Sequence, residues 1–147
     1  MKLSLLAMAT AASAAAVTKR DVVFEARNFT ASCVPHSAMC HYSLNAFMPG
    51  TMDTQGYDCS ASAPGAGVAI LPEIQGGTCP PSSRTFDVVR SEEGLTVIVS
   101  VQVSRLSYTR GSHFIPNDQI KMIEGVTPTG GYQAYVGPKD FPLERIV

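Results

Sequence analysis

Four side chains able to bind a metal or to carry redox chemistry fall within segment 33–41: Cys33, His36, Cys40 and His41. Thiolates and neutral imidazoles are zinc ligands, although the spacing C-x2-H-x3-C-H is unusual for a zinc site. A thiol redox centre would use a C-x-x-C pair, and the sequence has none. Oxidised cysteines supply no thiolate, so the compartment in which the protein resides decides between these chemistries.

The N-terminus predicts an extracellular destination. Residues 1–16 have the pattern of a secretory signal peptide, with Lys2, a short apolar run and small residues in A-x-A arrangements. The run is too short to span a bilayer. The basic pair Lys19-Arg20 directly precedes Asp21, which predicts a short pro-segment over 17–20. We therefore expect a secreted protein whose mature part is residues 21–147.

The remaining 127 residues have the length of one domain. Without Lys2, Lys19 and Arg20 they contain 8 Lys and Arg against 12 Asp and Glu, a formal charge of −4. An acidic chain lacks the electrostatic footprint of a nucleic-acid-binding protein. No later apolar stretch is long enough to cross a membrane. The sequence thus predicts a single domain with no nucleic-acid partner and no transmembrane segment.

The cysteine count favours disulfides over metal binding. Cys33, Cys40, Cys59 and Cys79 are an even set in an oxidising compartment. Four cysteines allow three connectivities, among which the sequence alone does not choose. Pairing neighbours along the chain would close two short loops and stabilise the fold by roughly 2 and 3 kcal/mol. We expect two disulfides and neither a metal nor a cofactor.

The sequence contains no familiar catalytic motif. The sequence has no G-x-S-x-G, no H-E-x-x-H and no P-loop. Ser112 and His113 are adjacent, but neighbours in a strand point to opposite faces. Glu92-Glu93 has the composition of a solvated turn rather than of paired catalytic carboxylates. We therefore predict no catalytic residues and a protein that is not an enzyme.

Three further groups of residues bear on glycosylation, on ligand binding and on exposure to solvent. Asn28-Phe29-Thr30 is a sequon and predicts an N-glycosylation site at Asn28. Three methionines near the first cysteine pair would either line an adaptable apolar ligand surface or fill the core: Met39, Met48 and Met52. Four scattered arginines are expected on a solvated face: Arg84, Arg90, Arg105 and Arg110.

The elements that position these residues are predicted to be strands. Apolar residues alternate in 22–29 and 42–46, and "RTFDVVR" and "GLTVIVSVQVS" flank the acidic turn 91–94 as a hairpin. The apolar phase changes near Ser104-Arg105, which predicts a bulge or turn there. Segment 63–83 is expected to be loop-rich, with a brief strand at 68–71, and 111–118 to be an exposed loop. The fold class is all-β, a compact antiparallel β-barrel or sandwich.

The segments "YDCSAS", "GGTCPPSSRTFDVV" and "GLTVIVSVQVS" resemble the fungal Alternaria major allergen-like family. Within it, "NFTASCVPHSAMCHYS" resembles the elicitor branch, whose secreted proteins induce the plant hypersensitive response. The resemblance implies an antiparallel β-barrel with disulfides Cys33–Cys40 and Cys59–Cys79. It also implies a non-enzymatic protein associated with plant cell death that binds a host receptor or a defence protein, such as a thaumatin-like one.

The sequence departs from the founding allergen of that family. It lacks the second C-terminal cysteine pair and has no odd cysteine for a disulfide-linked dimer, so we expect a monomer. Two alternatives to an elicitor remain at this point. One is a small-ligand carrier that uses the barrel mouth or a methionine-lined cleft. The other is a secreted hydrolase with an unrecognised site.

Overall fold

The computed structural model describes residues 21–35, 37–67, 69–124 and 131–146. The predicted signal segment 1–16 and pro-segment 17–20 lie outside this part of the chain. Ten strands follow one another: β1 Val22–Cys33, β2 Met39–Phe47, β3 Tyr57–Pro64, β4 Ile74–Cys79, β5 Ser82–Ser91, β6 Gly94–Ser104, β7 Ser107–Pro116, β8 Ile120–Ile123, β9 Tyr132–Tyr135 and β10 Phe141–Arg145. The predicted all-β class is confirmed.

Eight of the strands form a closed antiparallel barrel. Strands β1 to β7 pair with their neighbours in sequence order, β7 then pairs with β10, and β10 returns to β1. The closing ladder places Phe24 opposite Leu143 and Ala26 opposite Phe141. Strands β8 and β9 form a hairpin that joins the barrel at one residue pair, Ser32 with Ala134. Because every barrel strand has two partners, closure removes the free edges along which sheets associate.

The core follows the predicted alternation along the strands. Leu95, Val97 and Val99 of β6 are almost completely buried, as are Tyr42, Leu44 and Ala46 of β2. Phe24, Phe86 and Leu143 have no exposed surface. Since inward-facing side chains alternate along every strand of a small barrel, they fill its interior.

Two predicted loops are wrong. Segment 63–83 contains β4, and the described residues 69–71 of the predicted brief strand 68–71 are not in a strand. Residues 111–116 belong to β7, where Ile115 is fully buried, so 111–118 is not an exposed loop. Within the described residues, no helix is long and apolar enough to cross a membrane.

The sequence did not predict β4 because the strand contains two glycines. The structure explains why each of these positions is glycine. Gly76 has a φ of 71° and donates its N–H to Asp87 Oδ1 at 2.7 Å. Gly77 lies opposite Phe86 of β5, and a Cβ at this position would stand 2.3 Å from the Phe86 ring. Glycine is depleted in strands and often marks a bulge or a close approach, so the sequence pattern favoured a loop.

We expect Gly77→Ala to lower the free energy of unfolding by about 1–3 kcal/mol, the range for overpacking a filled core. The Phe86 ring is fully buried and has little room to move away. Gly67→Ala is the matched control, because a Cβ there would meet its nearest neighbour at an ordinary 3.5 Å. Urea titrations of both variants measure the difference. Equal stabilities of the two variants would contradict this account of Gly77.

Candidate functional site

The segment in which potential metal ligands are most closely spaced is part of a disulfide-linked hairpin of β1 and β2. Cys33 of β1 and Cys40 of β2 lie directly opposite each other and are bonded. Cys59 and Cys79 form the second disulfide, between β3 and β4. No free cysteine exists in the described chain, so zinc and thiol redox chemistry have no thiolate to use. The described residues also contain no cluster of three or more His, Cys, Asp or Glu that could hold a metal.

The disulfide between β3 and β4 joins the two neighbouring barrel strands that share the fewest registered residue pairs. A single residue pair, Ser60 with Thr78, is in ladder register between these two strands. A shallow cleft opens beside it between 60–63 and 73–78. The covalent bond therefore holds together two strands that share little backbone hydrogen bonding.

The outer face of β1–β4 carries rows of small polar side chains, which we call the polar face. Strand register places Ser43 beside Thr30 and Ser60, and Ser60 beside Thr78. The Thr30 and Ser43 hydroxyl oxygens are 2.7 Å apart and share a hydrogen bond. The two flanking rows contain Ser32, His41 and Ser62 on one side and Arg27, Asn45 and Asp58 on the other. Hydroxyl groups both donate and accept, so the polar face offers hydrogen bonds of either polarity.

His41 forms a contact that the sequence did not reveal. Its Nδ1 shares a hydrogen bond with Ser62 Oγ across the β2–β3 ladder. A serine hydrogen-bonded to a histidine could act as a nucleophile with its general base. Catalysis would also need a group that orients the histidine and donors that stabilise an oxyanion. His41 is exposed on the strand face, and no bond from its ring to a carboxylate is recorded in the described chain. His36 lies outside the described residues.

Asn28 stands at the border of the polar face. It is exposed, has a φ of 54° and sits where the β1–β2 register shifts. Its backbone N–H donates to Asp140 Oδ1 at 2.9 Å. Asn28 lines one shallow depression together with Ser43, Asn45 and Ser60. A glycan on Asn28 would therefore cover part of the polar face.

The arginines are not all on a solvated face. Inward positions of β5 alternate, so Arg84 is buried at one end of the interior and Arg90 is partly buried at the other. Arg84 Nη1 donates to Asp53 Oδ2 at 2.9 Å and to the Ala46 carbonyl at 2.8 Å. The Arg90 Nε and Nη2 atoms are buried and have no hydrogen-bond partner among the described residues. The prediction holds for Arg105 and Arg110, which are exposed.

Asp53 reaches Arg84 from the connection between β2 and β3. Burial opposes ionisation of its carboxyl, but the Met48 N–H, the Arg84 guanidinium and the Gly56 N–H together outweigh this and hold the pKa of Asp53 below its usual value. Its side chain is 8% exposed and that of Arg84 is 9% exposed, so the ion pair is shielded from solvent. The connection 48–56 is thereby fixed over one end of the barrel.

The methionines do not form one ligand surface. Met39 and Met48 lie at opposite ends of β2, and a nine-residue strand separates them by roughly 30 Å. Met48 packs against the core, whereas Met52 is 96% exposed. A cleft lined by all three methionines is therefore excluded. Glu92 and Glu93 are exposed in the β5–β6 turn, as predicted.

His113 is in an aromatic environment rather than beside a nucleophile. Its ring stacks on Phe141 with centroids 4.0 Å apart and planes 15° from parallel. Burial lowers the pKa of His113, and the negative charge of Glu144 acts in the opposite direction. The side chain is held by packing between β7 and β10.

We expect His113 to make stability depend on pH. Because its pKa is lowered in the folded state, its contribution is present above the ordinary histidine pKa of about 6.5 and is lost as the pH falls below it. Urea titrations between about pH 7 and pH 5 should show a decline that His113→Gln reduces. The exposed His41→Gln is the control and should keep the decline. The prediction fails if both variants have the wild-type slope.

Comparison with protein-family models, with curated proteins and with solved structures found no match to this chain. The resemblance to the allergen-like elicitors therefore stays a prediction from the sequence.

Proposed function

We propose that the protein is a secreted fungal elicitor that acts by recognition of its surface, through a plant receptor or defence protein of the host. The observation that carries the proposal is the position of the two disulfides. One joins β1 to β2 and the other joins β3 to β4, the four strands that present the polar face. A surface held rigid before binding loses less entropy when it binds, which raises affinity.

Two further features support the proposal: the disulfides, which suit an oxidising extracellular environment, and the sequence resemblance to the elicitor branch. Disulfides persist in oxidising environments, in agreement with the signal-peptide pattern of residues 1–16. The motifs that resemble the elicitor branch include "NFTASCVPHSAMCHYS", and this segment supplies the second half of β1, the start of β2, the first disulfide and part of the polar face. We propose that the polar face contacts the host component and that one copy of the chain suffices for it.

Infiltration of leaves with purified residues 21–147 tests the proposal. We expect localised cell death, and we expect a triple change on the polar face to reduce it: Thr30→Ala, Ser43→Ala and Ser60→Ala. The matched control removes three hydroxyls from β5 and β6: Thr85→Ala, Thr96→Ala and Ser100→Ala. Both triple variants should have native circular dichroism. Folded wild-type protein without effect in several hosts would contradict the elicitor function, and equal loss in both triples would contradict the polar face.

The hydrolase alternative is favoured by one contact, the hydrogen bond between His41 and Ser62. A catalyst loses its effect when one positioned group is removed, whereas a recognition surface distributes contact over many residues. We therefore expect Ser62→Ala, His41→Ala and His113→Ala each to keep most of the leaf response. If a folded Ser62→Ala or His41→Ala protein loses the response together with turnover on a panel of ester substrates, the hydrolase is the correct function.

A further inference from the structure

The β6–β7 hairpin extends beyond the barrel. The β5–β6 ladder runs from Ser91–Gly94 to Thr85–Ser100, so it ends on β6 at Ser100. The β7–β10 ladder includes Gly111 and Ser112 but no residue nearer the turn. Strand residues between 101 and 109 pair only with one another, and Val101 at the base of this extension still packs against the core. We call residues 101–110 the projecting arm.

The projecting arm exposes apolar side chains. Leu106, in the turn at its end, is 95% exposed, and Val103 and Tyr108 are 56% and 54% exposed. Isolated apolar residues on a protein surface are ordinary, but a group of them that leaves the body of the domain marks an interaction site. The alternation that buries Leu95, Val97 and Val99 continues to Val103, which has no core to enter because the hairpin has left the barrel.

Charge is also unevenly distributed around this hairpin. The segment from Gly94 to Pro116 contains no Asp or Glu, in a chain that is acidic from Asp21 onward. Its two arginines, Arg105 and Arg110, are in none of the ion pairs recorded for the described residues. The Arg110 guanidinium lies 5.5 Å from the centroid of the Tyr108 ring. The arm therefore combines two cations with an aromatic ring and an apolar end.

We propose that the projecting arm binds the surface of an anionic lipid bilayer. Leu106 enters the boundary between headgroups and acyl chains, where apolar side chains are buried. Arg105 and Arg110 meet the lipid phosphates, and Tyr108 occupies the interfacial region that suits an aromatic ring with a polar hydroxyl. The backbone groups that lack a ladder partner along the arm remain at headgroup level, where water satisfies them.

The dimensions of the arm favour a bilayer over a protein partner. A stable protein interface uses about 20–30 residues on each side. The arm offers only residues 101–110, and its most exposed apolar group is a single leucine in a turn. A bilayer needs no complementary shape and accepts a narrow apolar end beneath its charged surface. This inference does not rest on the elicitor function, which concerns the polar face on other strands.

Co-sedimentation with vesicles tests the inference. We expect the protein to bind vesicles of equal parts phosphatidylcholine and phosphatidylserine, and to bind pure phosphatidylcholine vesicles much less. Leu106→Ser should weaken binding about tenfold, in proportion to the apolar surface it removes. The matched control is Met52→Ser, since Met52 is 96% exposed but lies between β2 and β3. This control should bind as the wild type does.

A second pair of variants separates the arm from general charge. Arg105→Gln with Arg110→Gln should weaken binding by about fivefold for each arginine. Lys121→Gln with Lys139→Gln changes the net charge equally but lies outside the arm, and should have little effect. No binding to phosphatidylserine vesicles, or equal losses in the arm and control variants, would overturn the inference. A wild-type dimer in sedimentation velocity that Leu106→Ser dissociates would assign the arm to a second copy instead and would also overturn it.

Discussion

Replacing Asp53 with alanine is expected to lower the free energy of unfolding by about 3–5 kcal/mol. The Arg84 side chain is 9% exposed and its Nη1 donates to Asp53. Without the carboxylate, a buried guanidinium keeps its charge but loses its counter-charge. The change also removes the acceptor of the Met48 and Gly56 N–H groups, so the connection 48–56 loses its attachment to the barrel. Denaturant titration at neutral pH measures the effect.

Two controls make the Asp53 prediction specific. Asp58→Ala removes an exposed carboxylate from the polar face and should cost under about 1 kcal/mol. Asp53→Ala with Arg84→Met removes both charges and should be more stable than Asp53→Ala alone, because the residual buried charge is gone. Since the pKa of Asp53 is lowered by folding, the contribution is present above the ordinary aspartate pKa and is lost as the pH falls through the lowered value. A loss under about 1 kcal/mol for Asp53→Ala would refute the role of this ion pair.

Removal of the second disulfide is expected to have the next largest effect. Cys59→Ala with Cys79→Ala should lower the free energy of unfolding by roughly 3 kcal/mol, because the bond spans 20 positions and restricts the unfolded chain. The variant should also associate more readily on mild heating, since β3 and β4 share one ladder pair and separate into free edges. Thermal unfolding and light scattering measure the two effects.

The first disulfide provides the comparison for the second. Cys33→Ala with Cys40→Ala removes a bond that spans 7 positions, for which the same relation gives roughly 2 kcal/mol. All four cysteines are at most 2% exposed, so the two disulfides do not differ in burial. They differ in the length of the closed loop and in the number of registered residue pairs between the strands they join. Strands β1 and β2 share seven registered pairs and should remain together. A larger loss for the Cys33–Cys40 variant would contradict both arguments.

The fold was predictable wherever apolar alternation is uninterrupted. Leu95, Val97 and Val99 identify β6 and its buried face without ambiguity, and the phase change after Val103 correctly marked the turn at Arg105. Segment 74–79 was not predictable, because Gly76 and Gly77 are typical of loops. Gly77 is required by the Phe86 ring and Gly76 bonds to Asp87, and both of these partners belong to the neighbouring strand β5 rather than to the segment itself.

The polar sites were less predictable than the fold. The disulfide pairing followed from the family resemblance, whereas cysteine spacing alone left three options. Arg84 has the same local appearance as Arg105, but its guanidinium is buried against the Asp53 carboxylate, 31 positions away, and the Ala46 carbonyl. The His41–Ser62 bond and the hydroxyl row of the polar face depend on strand register between separate segments. Register of this kind is fixed by long-range pairing, which a single sequence does not display.

Pairing between β1 and β10 has a consequence for the order in which the molecule is assembled. The Asp21–Arg145 ion pair beside this ladder joins residues 124 positions apart, so closure has a high contact order. Both cross-linked hairpins are complete by Cys79, well before β10 is synthesised. When disulfides form in the order of synthesis, the first half can be oxidised while β1 still lacks its β10 partner. We expect the final annealing of β10 onto β1 to limit the folding rate, and the exposed β1 edge to be the segment that chaperones protect until then.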